Sequence, residues 1–174
     1  PAVVTQQNFN PADHSAEQLE RIKLMDGIRV HEETKVHLLT YAEQTGQKPV
    51  KPFMLVIARD TTHATGLLTT IEGLFDGQYK GKVIQVDSGT TSGAEGDAIV
   101  ERLLAVESYT EPTEIVIHVN MLKEGWDVTN LYTIVPLRAA NARTLIEQSI
   151  GRGLRLPYGR RTGVEVVDRL NIIA

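Results

Sequence analysis

Glu147-Gln148-Ser149-Ile150-Gly151-Arg152-Gly153-Leu154-Arg155 is the run around which the architecture is built. It follows a strand-like apolar segment at 131–138 and a helix-like opening at Asn141. On a helix, residues three or four apart share a face, so Gln148, Arg152 and Arg155 project together from one end. Gly151 and Gly153 leave space around the two arginines and let the backbone turn where the helix frays. Two guanidiniums at this spacing repel each other, so a merely solvated face is a poor reason to pair them. A polyanion is a better one, because each arginine offers a planar donor fork matched to phosphate.

Charge follows the same division. The chain has 174 residues and a formal net charge of -4, which gives no global basic field. Between 138 and 169, however, seven arginines face Glu147, Glu165 and Asp168, a local excess of four positive charges; the remaining chain carries eight negative ones. A solvated basic face would produce the same bias without any ligand. Hydrophobic residues are 41% and charged residues 23%, ordinary for a globular chain. The sequence has no apolar run of ~18 residues for a membrane span, and its start lacks the basic and apolar regions of a secretory signal. With no cysteine it has no disulfide or thiolate metal site, compatible with a cytoplasmic location. A beginning at Pro1 and an end inside the apolar run Leu170-Asn171-Ile172-Ile173-Ala174 suggest a piece of a longer protein.

Read in order, residues 1–12 show no periodicity and are expected to be a loose lead-in. From 15 to 45 apolar residues recur at helical spacing, with Ser15 and Gln18 as a capping box and Gly27 as a point that divides the segment into two helices. Gly46 and Pro49 end it. Strands are then expected at 53–58, 82–87, 114–119 and 131–137, helices at 61–75, 95–106 and from 141, and a last strand at 164–173, interrupted near Asp168. This alternation predicts an α/β fold: a mainly parallel sheet with helices on both faces. The expected division is a helical lead-in at 1–49 and a domain at 50–174. In such sheets ligands lie at the carboxyl ends of strands.

A second run, Glu124-Gly125-Trp126-Asp127-Val128, precedes the first by about 20 residues, and each follows a strand-like segment. Gly125 allows close backbone approach, and Asp127 can accept from a sugar hydroxyl or cap the next segment. In this order the pair resembles the last two motifs of superfamily 2 helicases, Gly-x-Asp and Gln-x-x-Gly-Arg-x-x-Arg. Residues 120–161 are most similar to the helicase subunit of type III restriction enzymes.

The resemblance implies a second RecA-like domain in an ATP-dependent DNA translocase. Arg152 and Arg155 would be arginine fingers reaching ATP, with Gln148 orienting them. Gly125, Asp127 and Gly151 would approach the nucleotide. Arg59, Thr61 and Asn120 would face nucleic acid, although Val119 stands where the family often has a phosphate-contacting Thr. Arg59-Asp60-Thr61-Thr62-His63 reads equally as a capped helix start, and Asp87-Ser88-Gly89-Thr90-Thr91-Ser92-Gly93 as a plain polar loop. ATP and Mg2+ would be bound mainly by a first RecA-like domain, because this sequence has neither a Gly-x-x-x-x-Gly-Lys-Ser/Thr loop nor an Asp-Glu-x-His/Asp run. By the same resemblance the partners are double-stranded DNA, that first domain and a methyltransferase or specificity subunit, with no membrane. The five histidines show no metal-ligand grouping, and Glu33-Thr34-Lys35, which imitates a nuclease motif, falls within a helical pattern. Alternatives from the residues alone are a related RNA or DNA-repair helicase domain, or a non-catalytic module binding an anionic ligand.

Overall fold

Ser15 starts the first helix in the way its spacing to Gln18 predicts. Its hydroxyl accepts from the Gln18 amide at 3.2 Å, and the Gln18 side-chain oxygen accepts from the Ser15 amide at 2.8 Å. Two of the unpaired amides of a helix start are thereby satisfied. The helix α1 runs Ala16–Thr45 and ends on Gly46, whose φ of 71° only glycine adopts readily. The computed structural model describes residues 15–86, 101–102, 105–106, 108, 111–119, 130–137, 158 and 161–173, together with the backbone of 2–4.

Gly27 does not divide α1. The helix is continuous, and a Cβ at this position would lie 2.4 Å from Val135 Cγ2 and 3.2 Å from Met54 Sδ. Glycine is here because the helix presses against the sheet, which outweighs a helix-propensity cost of about 1 kcal/mol.

Among the described residues the sheet has six strands: β1 (Ala2–Val4), β2 (Phe53–Ile57), β3 (Val83–Val86), β4 (Ile115–His118), β5 (Leu131–Pro136) and β6 (Asn171–Ile173). Their order is β1-β6-β5-β2-β4-β3, and every pairing is parallel. The near-unbroken apolar runs follow from this, because a parallel sheet is buried on both faces. Alternate residues of β2 divide between two cores. Met54 and Val56 pack with Leu24 and Ile28 of α1 and with Ala64, Leu67 and Ile71 of the second helix, α2 (Thr61–Gly73). Phe53, Leu55 and Ile57 pack with Val116, Ile134, Ile172 and Val106 on the opposite face. Among the described residues, α1 and α2 cover the same face.

Three local expectations change. Residues 2–4, expected to be loose, form an edge strand paired with 171–173; three residues are too few to show a period. The segment 164–170 is not a strand: Glu165–Asp168 is a single helical turn, α3. The Asp168 carboxylate accepts from the Thr162 amide at 3.0 Å, the Thr162 hydroxyl at 2.9 Å and the Gly163 amide at 3.1 Å, drawing the backbone out of an extended path. The register of β2 against β5 also skips Tyr132, whose hydroxyl instead donates to the Val167 carbonyl at 2.6 Å.

Candidate nucleic-acid interface

Because all strands run the same way, their carboxyl ends form one edge. Ile57 pairs with His118 on one side and Pro136 on the other, so the chain leaves β2, β4 and β5 side by side. Strands in a sheet are spaced by ~4.8 Å, which puts the β4 and β5 exits within about 10 Å of each other with the β2 exit between them. Residues 120–129 follow β4 in sequence, and 138–157 follow β5. Asn120, Gly125, Asp127, Gln148, Gly151, Arg152 and Arg155 all lie outside the described residues.

Arg59 and Thr61 occupy the loop after β2. Asp60 is the N-cap of α2, and its carboxylate accepts from the His63 amide at 2.7 Å. The capping alternative is therefore the correct one for Asp60, and it sets the loop's shape. Thr61 is the first helical residue and is exposed. The Arg59 amide donates to His63 Nδ1 at 3.0 Å, so the neutral ring carries its proton on Nε2. That nitrogen lies 3.0 Å from Glu20 Oε1, without the alignment of a full hydrogen bond. The guanidinium of Arg59 pairs with the same Glu20 oxygen. Its side chain is still 52% exposed, against 20% for Glu20. A cleft of about 500 Å³ between α1 and α2 opens beside this pair, with Arg21, Leu24, Leu67 and Thr70 in its walls. Nothing local in the sequence links Glu20 to Arg59, which lie 39 residues apart.

The amino ends of the strands carry a second polar constellation that pattern reading missed. Lys82, Glu114 and Asn130 each immediately precede a strand, and Lys51 precedes β2 by two residues. The Glu114 carboxylate lies 3.0 Å from the fully buried His31 Nε2, 2.8 Å from Lys35 Nζ and 3.4 Å from Lys82 Nζ. Burial would raise its pKa, but hydrogen bonds from His31 and Lys35 prevail and hold it down at about 2. Glu32 accepts from Tyr79 and pairs with Lys35. Burial, reinforced by this carboxylate, pushes the Tyr79 hydroxyl well above the ordinary tyrosine range.

His31, Glu32 and Glu114 present ligand atoms close enough to hold a metal ion. Lys35 and Lys82 already neutralise both carboxylates there, so the charge that would attract a divalent cation is balanced from within. The Lys51 ammonium is held by the carbonyls of Glu111 at 2.7 Å, Val106 at 3.1 Å and Ser108 at 3.3 Å. Asn130 donates to the carbonyls of Lys51 and Val106. Burial depresses the Lys51 pKa, partly offset by the fields of Glu111 and Glu114.

The parallel sheet gives the chain a RecA-like fold, and the order of its two sequence motifs resembles that of superfamily 2 helicases. Among proteins of known sequence it is 26% identical over 161 residues to IRC3 of Saccharomyces cerevisiae, assigned as an ATP-dependent helicase; the match covers 91% of this chain and 21% of that protein. Among solved structures it matches a fragment assigned as the HsdR subunit of a type I restriction enzyme from Vibrio vulnificus YJ016. That match has a TM-score of 0.52 and 23% identity, and it covers 86% of this chain and 28% of the other. T4 UvsW aligns at a TM-score of 0.43 and 13% identity over 92% of this chain and 28% of its own, too loosely to weigh. No family model matches the chain. The chain thus spans about a fifth of the length of the curated relative it matches. The match to the HsdR fragment shows a shared fold and does not separate type I from type III restriction enzymes. Among the described residues, no helix is long and apolar enough to cross a membrane.

Proposed function

We propose that this chain is the second RecA-like domain of an ATP-dependent DNA translocase of a restriction system, working against a first RecA-like domain that binds ATP and Mg2+. The observation that carries the reading is the common edge: the two motif-bearing segments follow the carboxyl ends of the strands flanking β2, where open α/β sheets place their ligands. In this reading Arg152 and Arg155 stabilise charge on the transferring phosphoryl group, and Gln148 orients them. Gly125, Asp127 and Gly151 approach the nucleotide. Arg59, Thr61 and Asn120 contact the phosphate backbone of double-stranded DNA. Bound ATP supplies the free energy of translocation; this chain's part is to complete the cleft and track the strand. A methyltransferase or specificity subunit is the expected partner, and the cytoplasm the expected compartment. Resemblance at 120–161 favours a type III system.

A second reading has its own support: the relative from yeast is assigned simply as an ATP-dependent helicase, so a helicase acting in nucleic-acid repair or RNA handling shares the same site logic. DNA-stimulated ATP hydrolysis by the protein carrying its phosphate-loop domain tests both. Arg152→Ala and Arg155→Ala are each expected to lower turnover by on the order of a thousandfold with nucleotide binding kept. Normal hydrolysis with weakened DNA binding would make the arginines a backbone clamp and remove the finger role. Stimulation by RNA and not by DNA would favour the second reading.

A further inference from the structure

Arg59 faces the carboxyl edge with its charge already occupied. The carboxylate that occupies it, Glu20, comes from α1; one of its oxygens pairs with the Arg59 guanidinium and lies 3.0 Å from His63 Nε2, without the alignment of a full hydrogen bond. Asp60 caps the helix beside them, so the amide dipoles of α2 are not what holds Glu20 there. The Arg59 guanidinium is thus engaged by a carboxylate, an anion of the kind that a phosphate oxygen can replace. We propose that Glu20 is an internal latch on the nucleic-acid contact made by Arg59: DNA phosphate displaces the Glu20 carboxylate, and the latch sets the threshold for binding. This rests on the reading above that Arg59 contacts the DNA backbone.

The physical case is one of exchangeability. Ion pairs between partly exposed side chains contribute little to stability, because water and salt screen them and ordering two long side chains costs entropy. Arg59 at 52% and Glu20 at 20% exposure form such a pair. A duplex competes for Arg59 with the added gain of counterion release, which a single carboxylate lacks. The cleft between α1 and α2 opens directly beside the pair, with Glu17 and Arg21 both in its wall, so an approaching phosphate has open space next to Arg59. Glu114 is the internal control. It is 9% exposed and engaged by His31, Lys35 and Lys82, so it has no comparable way out.

The test is fluorescence anisotropy of a labelled 20-base-pair duplex with the full chain at ~100 mM salt, for native protein, Glu20→Gln, Arg59→Ala and the double variant, each checked by thermal unfolding. Glu20→Gln is expected to bind about threefold tighter. Arg59→Ala is expected to bind more weakly with a salt slope smaller by about one. In the double variant the gain from Glu20→Gln should vanish. Glu20→Ala, which helix propensity favours, serves as a second latch variant should the glutamine disturb folding. If Arg59→Ala weakens binding but neither Glu20 variant tightens it, the latch is wrong and the contact stands. If Arg59→Ala changes nothing in either background, the contact itself is wrong and the latch falls with it.

Discussion

The two edges of this sheet handle charge in opposite ways. At the amino edge, Glu114 is enclosed by three basic side chains and Lys51 by three carbonyls, and each of these residues sits just before a strand that it helps to start. At the carboxyl edge, Arg59 is half exposed and held by one carboxylate. Burial separates the two behaviours: removing a partner from a dry ion network leaves an uncompensated charge, whereas removing one from a wet pair is nearly neutral. The fold thus places enclosed charges where strands begin and a half-exposed ion pair on the edge that the two sequence motifs follow.

Glu114→Ala tests that contrast most severely. It leaves the fully buried His31 without its carboxylate while Lys35 keeps Glu32 and Lys82 reaches solvent, and urea unfolding should show a loss of roughly 3 kcal/mol. A loss under about 1 kcal/mol would mean the two edges do not differ. The same carboxylate gives a pH signature. Its folded pKa, about 2, lies below the ordinary carboxylate value. Its stabilisation is therefore complete above that ordinary value and is lost as pH falls toward 2. Unfolding curves between pH 6 and pH 2.5 should accordingly converge for native protein and Glu114→Gln. Lys51→Met comes next. It keeps the apolar stem but takes from the part-buried Glu111 carbonyl its donor, while the Val106 carbonyl keeps Asn130 and the Ser108 carbonyl keeps the Glu111 amide, an expected cost of about 2 kcal/mol in the same assay. Arg59→Ala should move stability least, by less than about 1 kcal/mol. A larger loss would place Arg59 among the structural charges and break the contrast from the other side.

Much of this arrangement was legible because its causes are local. Ser15 and Gln18 announce a capping box, Asp60 a cap, and unbroken runs such as Phe53-Met54-Leu55-Val56-Ile57 a strand buried on both sides. What escaped depends on partners distant in sequence. Gly27 reads as a break until Val135 is seen against it, and the interruption near Asp168 has no visible cause until Thr162 and Gly163 donate to its carboxylate. Glu20 and Glu114 look like ordinary surface acids; only tertiary contact pairs them with Arg59 and His31. A polar residue placed just before an apolar run, as at Lys82, Glu114 and Asn130, was the available signal for the amino edge. The motif residues from Asn120 to Arg155 were the clearest in the sequence, and they lie outside the described residues.

Gly27 has a mechanical meaning as well. It lies between Glu20 and His31 on one unbroken helix, so the two edges are joined by a rigid rod resting on a bearing one hydrogen atom wide. Its closeness to Val135 and Met54 keeps α1 from moving toward the sheet there. A tilt about that contact would carry the Glu20 end through an arc set by its distance along the helix from Gly27.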